Sequence, residues 1–273
     1  MSAIIVPRRW TRQPNRQVDI DWTHPLASAL DLNSILGVPN RRLSVTGTKI
    51  SASKLGLARA FGTNVGKAST DIVSLRLANT TLGPRTTLTI YIARSGGTSN
   101  FGRIFSRNQL GGSTAAEVVN FCGAGADIAY CRTDGSGTDI ADAQATHGAF
   151  NEPHTLVTVN DGVNTSSTKI FEDGVQLSTS AVASPVGLTA PLATNYLNFG
   201  NFGSGTRAHD GWIGLFLSWN RMLSTAEIRE ITRNPWQIFK PIGTRIYIDG
   251  GSSSFNPAWA RNRNTLIQAG MPL

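Results

Sequence analysis

The sequence predicts an all-β protein: an antiparallel sandwich with one short helix and extended N- and C-terminal arms. Three observations carry this expectation. Charged residues are 15% of the 273-residue chain, against roughly 25% in an average soluble domain. The 28 glycines, with many Thr, Ser and Asn, break the chain into short pieces as turn residues do. Apolar residues alternate at period 2 over many of those pieces. The chain is long enough to bury a core without staples, and two cysteines exclude a disulfide-dense scaffold.

Residues 1–24 read as an N-terminal arm, in which Arg8, Arg9, Arg12 and Arg16 are interleaved with Trp10, Pro7 and Pro14. Alternation first appears at residues 17–22 and ends at His24-Pro25. Residues 25–241 read as the sandwich. Its strand candidates are 42–47, 71–77, 86–93, 101–106, 117–122, 127–132, 154–160, 168–172, 196–200 and 211–219. Residues 86–93 alternate most clearly, with Leu88, Ile90 and Ile92 on one face and Thr87, Thr89 and Tyr91 on the other. Asp173-Gly174 between apolar runs predicts a tight hairpin. Ser224 and Glu227 form a capping-box pattern ahead of Ile228 and Ile231, and Pro235 stops that helix. Residues 242–273 read as a polar C-terminal arm with one strand candidate at 244–248, and it holds Trp259, Arg261 and Arg263.

The formal charge of +8 invites a nucleic-acid reading. Its distribution weakens that reading. Residues 1–60 hold nine Lys/Arg against three Asp/Glu, residues 234–273 four against one, and residues 61–233 twelve against thirteen. The body is neutral and the ends are basic. Twenty of the 25 cations are Arg, which favours bidentate and stacked contacts. No nucleic-acid motif is present, so specific nucleic-acid binding is not expected. No apolar run approaches the ~20 residues of a membrane helix, and no apolar stretch precedes Pro7-Arg8-Arg9 as a signal peptide requires. A membrane partner is not expected, and synthesis in the cytoplasm is.

Between residues 85 and 231 the order of motifs resembles a laminin-G-like, concanavalin A-like jelly roll. The residues that carry it are 87–92, Gly102 to Ser106, Pro153 to Gly162, Lys169 to Gly174 and, longest, Gly211 to Ile228. Where that family has a Trp-His pair, this chain has Pro153-His154. Residues 233–241 and the arm segments 8–14 and 20–22 resemble the ends of laminin-G-like proteins of tailed bacteriophages. The resemblance implies a virion structural protein.

Candidate chemistry is sparse. His147 and His154 flank a Gly/Asn/Pro loop, but no Gly-x-Ser-x-Gly elbow accompanies them, so turn or strand-edge histidines are the preferred reading. Glu172-Asp173 lies in a turn and Glu227 and Glu230 on the helix, so the paired carboxylates of a glycosidase are not assembled. No enzyme is expected. Cys122 and Cys131 fall on adjacent strand candidates and are read as a buried thiol pair in preference to a disulfide. Asp134, Asp139 and Asp142 form an acidic loop that could take calcium, a lesser reading beside Asp serving the turn itself. No other metal or cofactor is expected. Trp212 and Trp219 are assigned to packing and Trp236 to covering the sandwich base.

The expected function is capsid decoration, as a minor capsid, cement or head-fibre protein in the virion. The arms, through Arg8, Arg9, Trp10, Arg12, Arg16, Trp259, Arg261 and Arg263, would hold neighbouring virion proteins, the major capsid protein foremost. A homo-oligomer, most simply a trimer, is expected. The alternative is a carbohydrate-binding adhesion module with a glycan partner.

Overall fold

The computed structural model describes residues 13–14, 18–36, 44–46, 48–62, 71–76, 83–109, 115–122, 127–133, 139–163, 167–179, 195–201 and 207–241. All eight arm residues expected to meet partners lie outside these, as do Asp134 and residues 242–273. The predicted all-β sandwich with a single α-helix is what forms.

Two antiparallel sheets make the sandwich. The first runs, edge to edge, β11 (Asp139–Thr146), β10 (Asp127–Thr133), β9 (Ala115–Cys122), β8 (Arg103–Gln109), β15 (Asn195–Phe199), β6 (Ile72–Arg76) and β3 (Ser44–Thr46). The second runs β14 (Val175–Gln176), β13 (Lys169–Glu172), β12 (Pro153–Asn160), β7 (Arg85–Ala93), β16 (Gly211–Trp219), β5 (Gly56–Phe61) and β4 (Lys49–Ser53). β2 (Leu30–Ile35) pairs with the C-terminal half of β16. A two-stranded piece, β1 (Val18–Ile20) with β17 (Phe239–Pro241), completes the set.

β7 is buried along its whole length, on both faces. Its Tyr91 and Ala93 face the first sheet and join a core that includes Phe105, Phe121, Leu156 and Phe216. Its Leu88 and Ile90 face outward, yet they too are covered. The cover is a third layer: β1, the 3-10 turn Pro25–Ala27, α1 (Thr225–Arg233), the 3-10 turn Pro235–Ile238 and β17. Residues 18–24, grouped with the arm on sequence, belong to this layer.

Trp219 is fully buried in the third-layer core and donates to the Leu26 carbonyl at 2.6 Å. Trp236 packs against the same core, as expected, 6.0 Å from the Phe239 ring. Trp212 departs from the packing assignment: it is half-buried, donates to Ser51 Oγ at 2.9 Å and lies under the Arg94 guanidinium at 5.0 Å. Cys122 and Cys131 lie on paired strands as expected, with Cys131 a buried thiol, but they are not neighbours. Cys122 stands opposite Asp127 and Cys131 opposite Val118, so the two residues are four rungs apart on the hairpin, roughly 13 Å.

The inner face is polar at one end. Glu117 of β9 lies between two guanidiniums, Arg107 Nε at 3.0 Å and Arg85 Nη1 at 3.4 Å, the latter from the opposite sheet. Tyr130 Oη donates to Glu117 Oε1 at 3.1 Å, and Asn160 Nδ2 of the opposite sheet donates to Tyr130 Oη at 2.8 Å. All five are buried.

The helix begins as its pattern predicts. Ser224 Oγ accepts from Glu227 N, and the Glu227 carboxylate accepts from Ser224 N at 2.8 Å. Arg221 Nη2 donates to the same carboxylate at 2.7 Å. That hydrogen bond, with those from Ser224, outweighs burial and holds the Glu227 pKa at about 2.

Three outcomes are expected. Glu117→Ala leaves two guanidiniums buried without their carboxylate and lowers the unfolding free energy by roughly 3–5 kcal/mol, read from urea denaturation; a loss under about 1 kcal/mol contradicts this placement. Ser224→Ala costs about 1 kcal/mol through the cap. Because the Glu227 pKa is depressed, its stabilisation is full above about 4.5 and is lost as pH falls towards 2. Glu227→Gln therefore flattens urea midpoints over that interval.

Candidate functional site

Strand register brings three side chains together at the other end of the inner face. His154 on β12 is directly opposite Tyr91 on β7. Two residues along β12, on the same face, Leu156 is opposite Glu172, the last residue of β13. His147 follows immediately after β11, which delivers it from the first sheet. A turn at residues 148–151 then leads back into β12.

The distances are short. Tyr91 Oη donates to Glu172 Oε1 at 3.2 Å, and Gly148 N donates to Glu172 Oε2 at 2.9 Å. Glu172 Oε1 is 3.7 Å from His147 Nε2 and 3.6 Å from His154 Nδ1. His154 Nδ1 is 2.8 Å from Asp173 Oδ2, and His154 Nε2 is 2.9 Å from the Ala149 carbonyl. A Cβ on Gly148 would meet His154 Cε1 at 2.8 Å and Glu172 Oε2 at 2.9 Å, so only glycine lets the turn close on this pair. His209, fully buried beside Tyr91 and Phe121, donates through Nε2 to the Ile92 carbonyl at 3.2 Å. Three of the four histidines thus gather around one tyrosine.

Their protonation differs for stated reasons. Burial, then the neighbouring His154 charge, lowers the His147 pKa to about 4. Burial likewise lowers His209 to about 4. His154 is also lowered by burial, but the Ala149 and Asp173 hydrogen bonds and the Glu172 and Asp173 charges outweigh it and raise the pKa. Glu172 is raised by burial, against the pull of His154. Both partners of His154 are acceptors, so it sits here as an imidazolium.

Asp173 links this cluster to the surface. It and Gly174 form the two-residue turn between β13 and β14, with φ of 52° and 81°, the left-handed pair that a type I′ hairpin requires. Its Oδ1 accepts from Thr155 N at 2.8 Å while Oδ2 holds His154. The same residue lines an open groove of about 430 Å³ with Thr155, Val175, Arg229, Thr232 and Arg233. Arg229 and Arg233 stand one turn apart on exposed positions of α1, with no ion-pair partner among the described residues.

The sequence named His147 and His154 but not their meeting with Glu172, Tyr91 and His209. The signal was the strand assignment: Glu172 was read as a turn residue, yet it closes β13 with its side chain inward. The acidic loop expected to suit calcium is different in kind, since Asp139 and Asp142 lie on strand β11. Exposed aromatics remain at Trp22, 61% accessible, and Phe101, which lies under the Arg207 guanidinium at 4.9 Å.

No family model and no curated protein matches the chain. Solved structures do. A botulinum neurotoxin serotype D binding domain aligns with a TM-score of 0.53 at 11% identity, over 75% of this chain and 51% of that one. A botulinum neurotoxin type C structure, described by cell entry dependent on interaction with two ganglioside molecules, aligns at 0.55 and 10%, over 76% and 51%. A Trypanosoma rangeli sialidase in complex with the inhibitor DANA aligns at 0.51 and 12%, over 72% and 30%. The chain spans about half the length of the neurotoxin structures it matches. At this identity the likeness establishes the β-sandwich fold.

Because the folded pKa values of His147 and His209 lie below 6.5, both stabilise the neutral form; stability is full above 6.5 and lost as pH falls towards 4. His154 has the opposite sign: its contribution is full below 6.5 and lost as pH rises through its raised value. Urea midpoints are therefore expected to fall between pH 7 and 4.5, and to fall less in His209→Asn. Equal losses in both proteins would contradict the buried neutral His209.

Proposed function

We propose that the chain is a non-catalytic carbohydrate-binding module whose ligand, an acidic saccharide, occupies the groove between the β13–β14 hairpin and α1. The carrying observation is the groove itself. It offers two guanidiniums with no ion-pair partner among the described residues, which suit a carboxylate or sulfate. Asp173 and the Thr155 hydroxyl suit sugar hydroxyls, and exposed Val175 gives an apolar contact for a ring face. Its volume is in the range of small-ligand sites. Support also comes from the neurotoxin binding domains, one of them described through ganglioside interaction, although a shared fold alone does not assign function. The reading is non-catalytic because Asp173 is the one carboxylate among the residues that line the groove, whereas glycoside hydrolysis takes a pair.

A second reading has one observation of its own. β1 pairs with β17 so that Val18 stands opposite Pro241. The two basic terminal segments therefore depart from one place on the sandwich. That arrangement suits a virion structural protein, laminin-G-like in type, held by both arms to capsid neighbours as a homo-oligomer.

A glycan array probed with the full chain separates the two. Binding to carboxylated or sulfated glycans, reduced at least about tenfold by Arg229→Ala with Arg233→Ala, supports the groove; each 1.4 kcal/mol is tenfold. No glycan binding, or binding lost only with Trp22→Ala, overturns it. For the second reading, deletion of residues 1–16 is expected to abolish co-purification with capsids; retention on particles counts against the arms.

A further inference from the structure

Among the described residues, His147, His154 and Glu172 form a grouping whose ligand atoms all lie within 4.8 Å of one another, and all three residues are buried. We propose that this cluster binds a divalent transition-metal ion, zinc by the chemistry of its donors, through His147 Nε2, His154 Nδ1 and Glu172 Oε1, with Asp173 Oδ2 as the fourth ligand.

Geometry is the first support. Ligand atoms around a tetrahedral zinc at ordinary bond lengths are about 3.3–3.5 Å apart. Here Glu172 Oε1 stands 3.7 Å from His147 Nε2 and 3.6 Å from His154 Nδ1, within a few tenths of an ångström of that edge, while Asp173 Oδ2 at 2.8 Å from His154 Nδ1 would have to move outward to make room for the ion.

The second support is an orphaned donor. The His147 side chain is 1% exposed and its Nε2 has no hydrogen-bond partner, while the ring's other nitrogen is engaged with the Gly148 backbone. A buried ring nitrogen left this way carries a desolvation cost, and a metal bond removes it. The nitrogen faces Glu172, not an apolar wall.

The third is the outer shell. Metal-bound histidines fix their tautomer by hydrogen bonding the other ring nitrogen to a carbonyl or carboxylate. His154 does this with the Ala149 carbonyl, which directs Nδ1 towards the cluster. Glu172 is held from both sides, by Tyr91 Oη and Gly148 N. The proton between His154 Nδ1 and Asp173 Oδ2 occupies the place that the ion would take. Asp173 is half-exposed and gives an entry path from the groove.

Two imidazoles with carboxylates favour zinc or a similar ion over calcium or magnesium, which take oxygen ligands. The site shares Asp173 with the groove, but its test reads metal binding alone, so it stands or falls separately from the glycan reading.

The test uses the full chain stripped with EDTA and titrated with Zn²⁺ alone by calorimetry, with Co²⁺ as an absorption probe. One ion per chain is expected, with tetrahedral Co²⁺ bands and a melting temperature that rises with free Zn²⁺. Tyr91→Phe, which removes only an outer partner, is expected to weaken binding roughly 10–100-fold. His147→Gln is expected to weaken it further. Should His147→Gln fail to fold, Asp173→Asn, at a half-exposed position, carries the test and must weaken binding and alter the Co²⁺ spectrum. Absence of one-to-one binding, or binding unchanged by these substitutions, overturns the proposal and leaves the cluster as an ion pair that locks the turn after β11.

Discussion

The centre of the second sheet is covered on both faces, and the packing around it follows from that constraint. Its central strand, β7, has Leu88 and Ile90 under the helix layer and Tyr91 and Ala93 against the first sheet. Polar groups that such a strand carries inward cost free energy unless they are paired. Arg85 and Thr87 are paired, while Thr89 Oγ1 is buried with no hydrogen-bond partner among the described residues. Thr87 exchanges a 2.6 Å hydrogen bond with Thr158 on the neighbouring strand, and Arg85 reaches Glu117 across the sandwich. Glu117 is thus held by guanidiniums from both sheets, which fixes how the sheets are set against each other. Such a buried cluster contributes definition of one packing more plainly than net stability, because desolvation offsets much of the attraction.

The histidine cluster answers the same requirement at the opposite end of β7. Tyr91 Oη must have an acceptor there, and Glu172 supplies it. A buried carboxylate in turn needs donors or a nearby cation, and Gly148 N and the His154 imidazolium provide them. Each partner creates the demand that the next one meets. The tight turn at Gly148 closes the chain of contacts, and it brings His147 in with an unused nitrogen.

The local devices were legible in the sequence because their physics is local. The Asp173-Gly174 hairpin, the Ser224–Glu227 capping box and the alternation of residues 86–93 all form where the residues ask for them. About ten strands were expected over residues 40–232, and 14, β3 to β16, are present there among the described residues. Strand β11, Asp-Ile-Ala-Asp-Ala-Gln-Ala-Thr, was read as an acidic loop because Ala and Asp are poor strand formers; pairing with β10 overrides that preference. The third layer was invisible for a related reason. A period-2 pattern tells which residues share a face but not what covers it. The site was hidden because its members lie at positions 91, 147, 154, 172 and 209 and meet only through register between strands.

Asp173 joins the interior of the molecule to its surface. The left-handed turn that the hairpin demands also aims its carboxylate, with one oxygen on Thr155 N and the other on His154. The same side chain forms one wall of the groove opposite Arg229 and Arg233. Its negative charge therefore faces an interior cation on one side and the two arginines of the groove on the other. Whatever tightens the inward contact withdraws charge from the groove and leaves the two arginines more electropositive. Whatever draws the carboxylate outward exposes His154 to Glu172 alone, 3.6 Å away. A groove occupant that met Asp173 would thus also act on the buried cluster, and by linkage the effect would be equal in both directions.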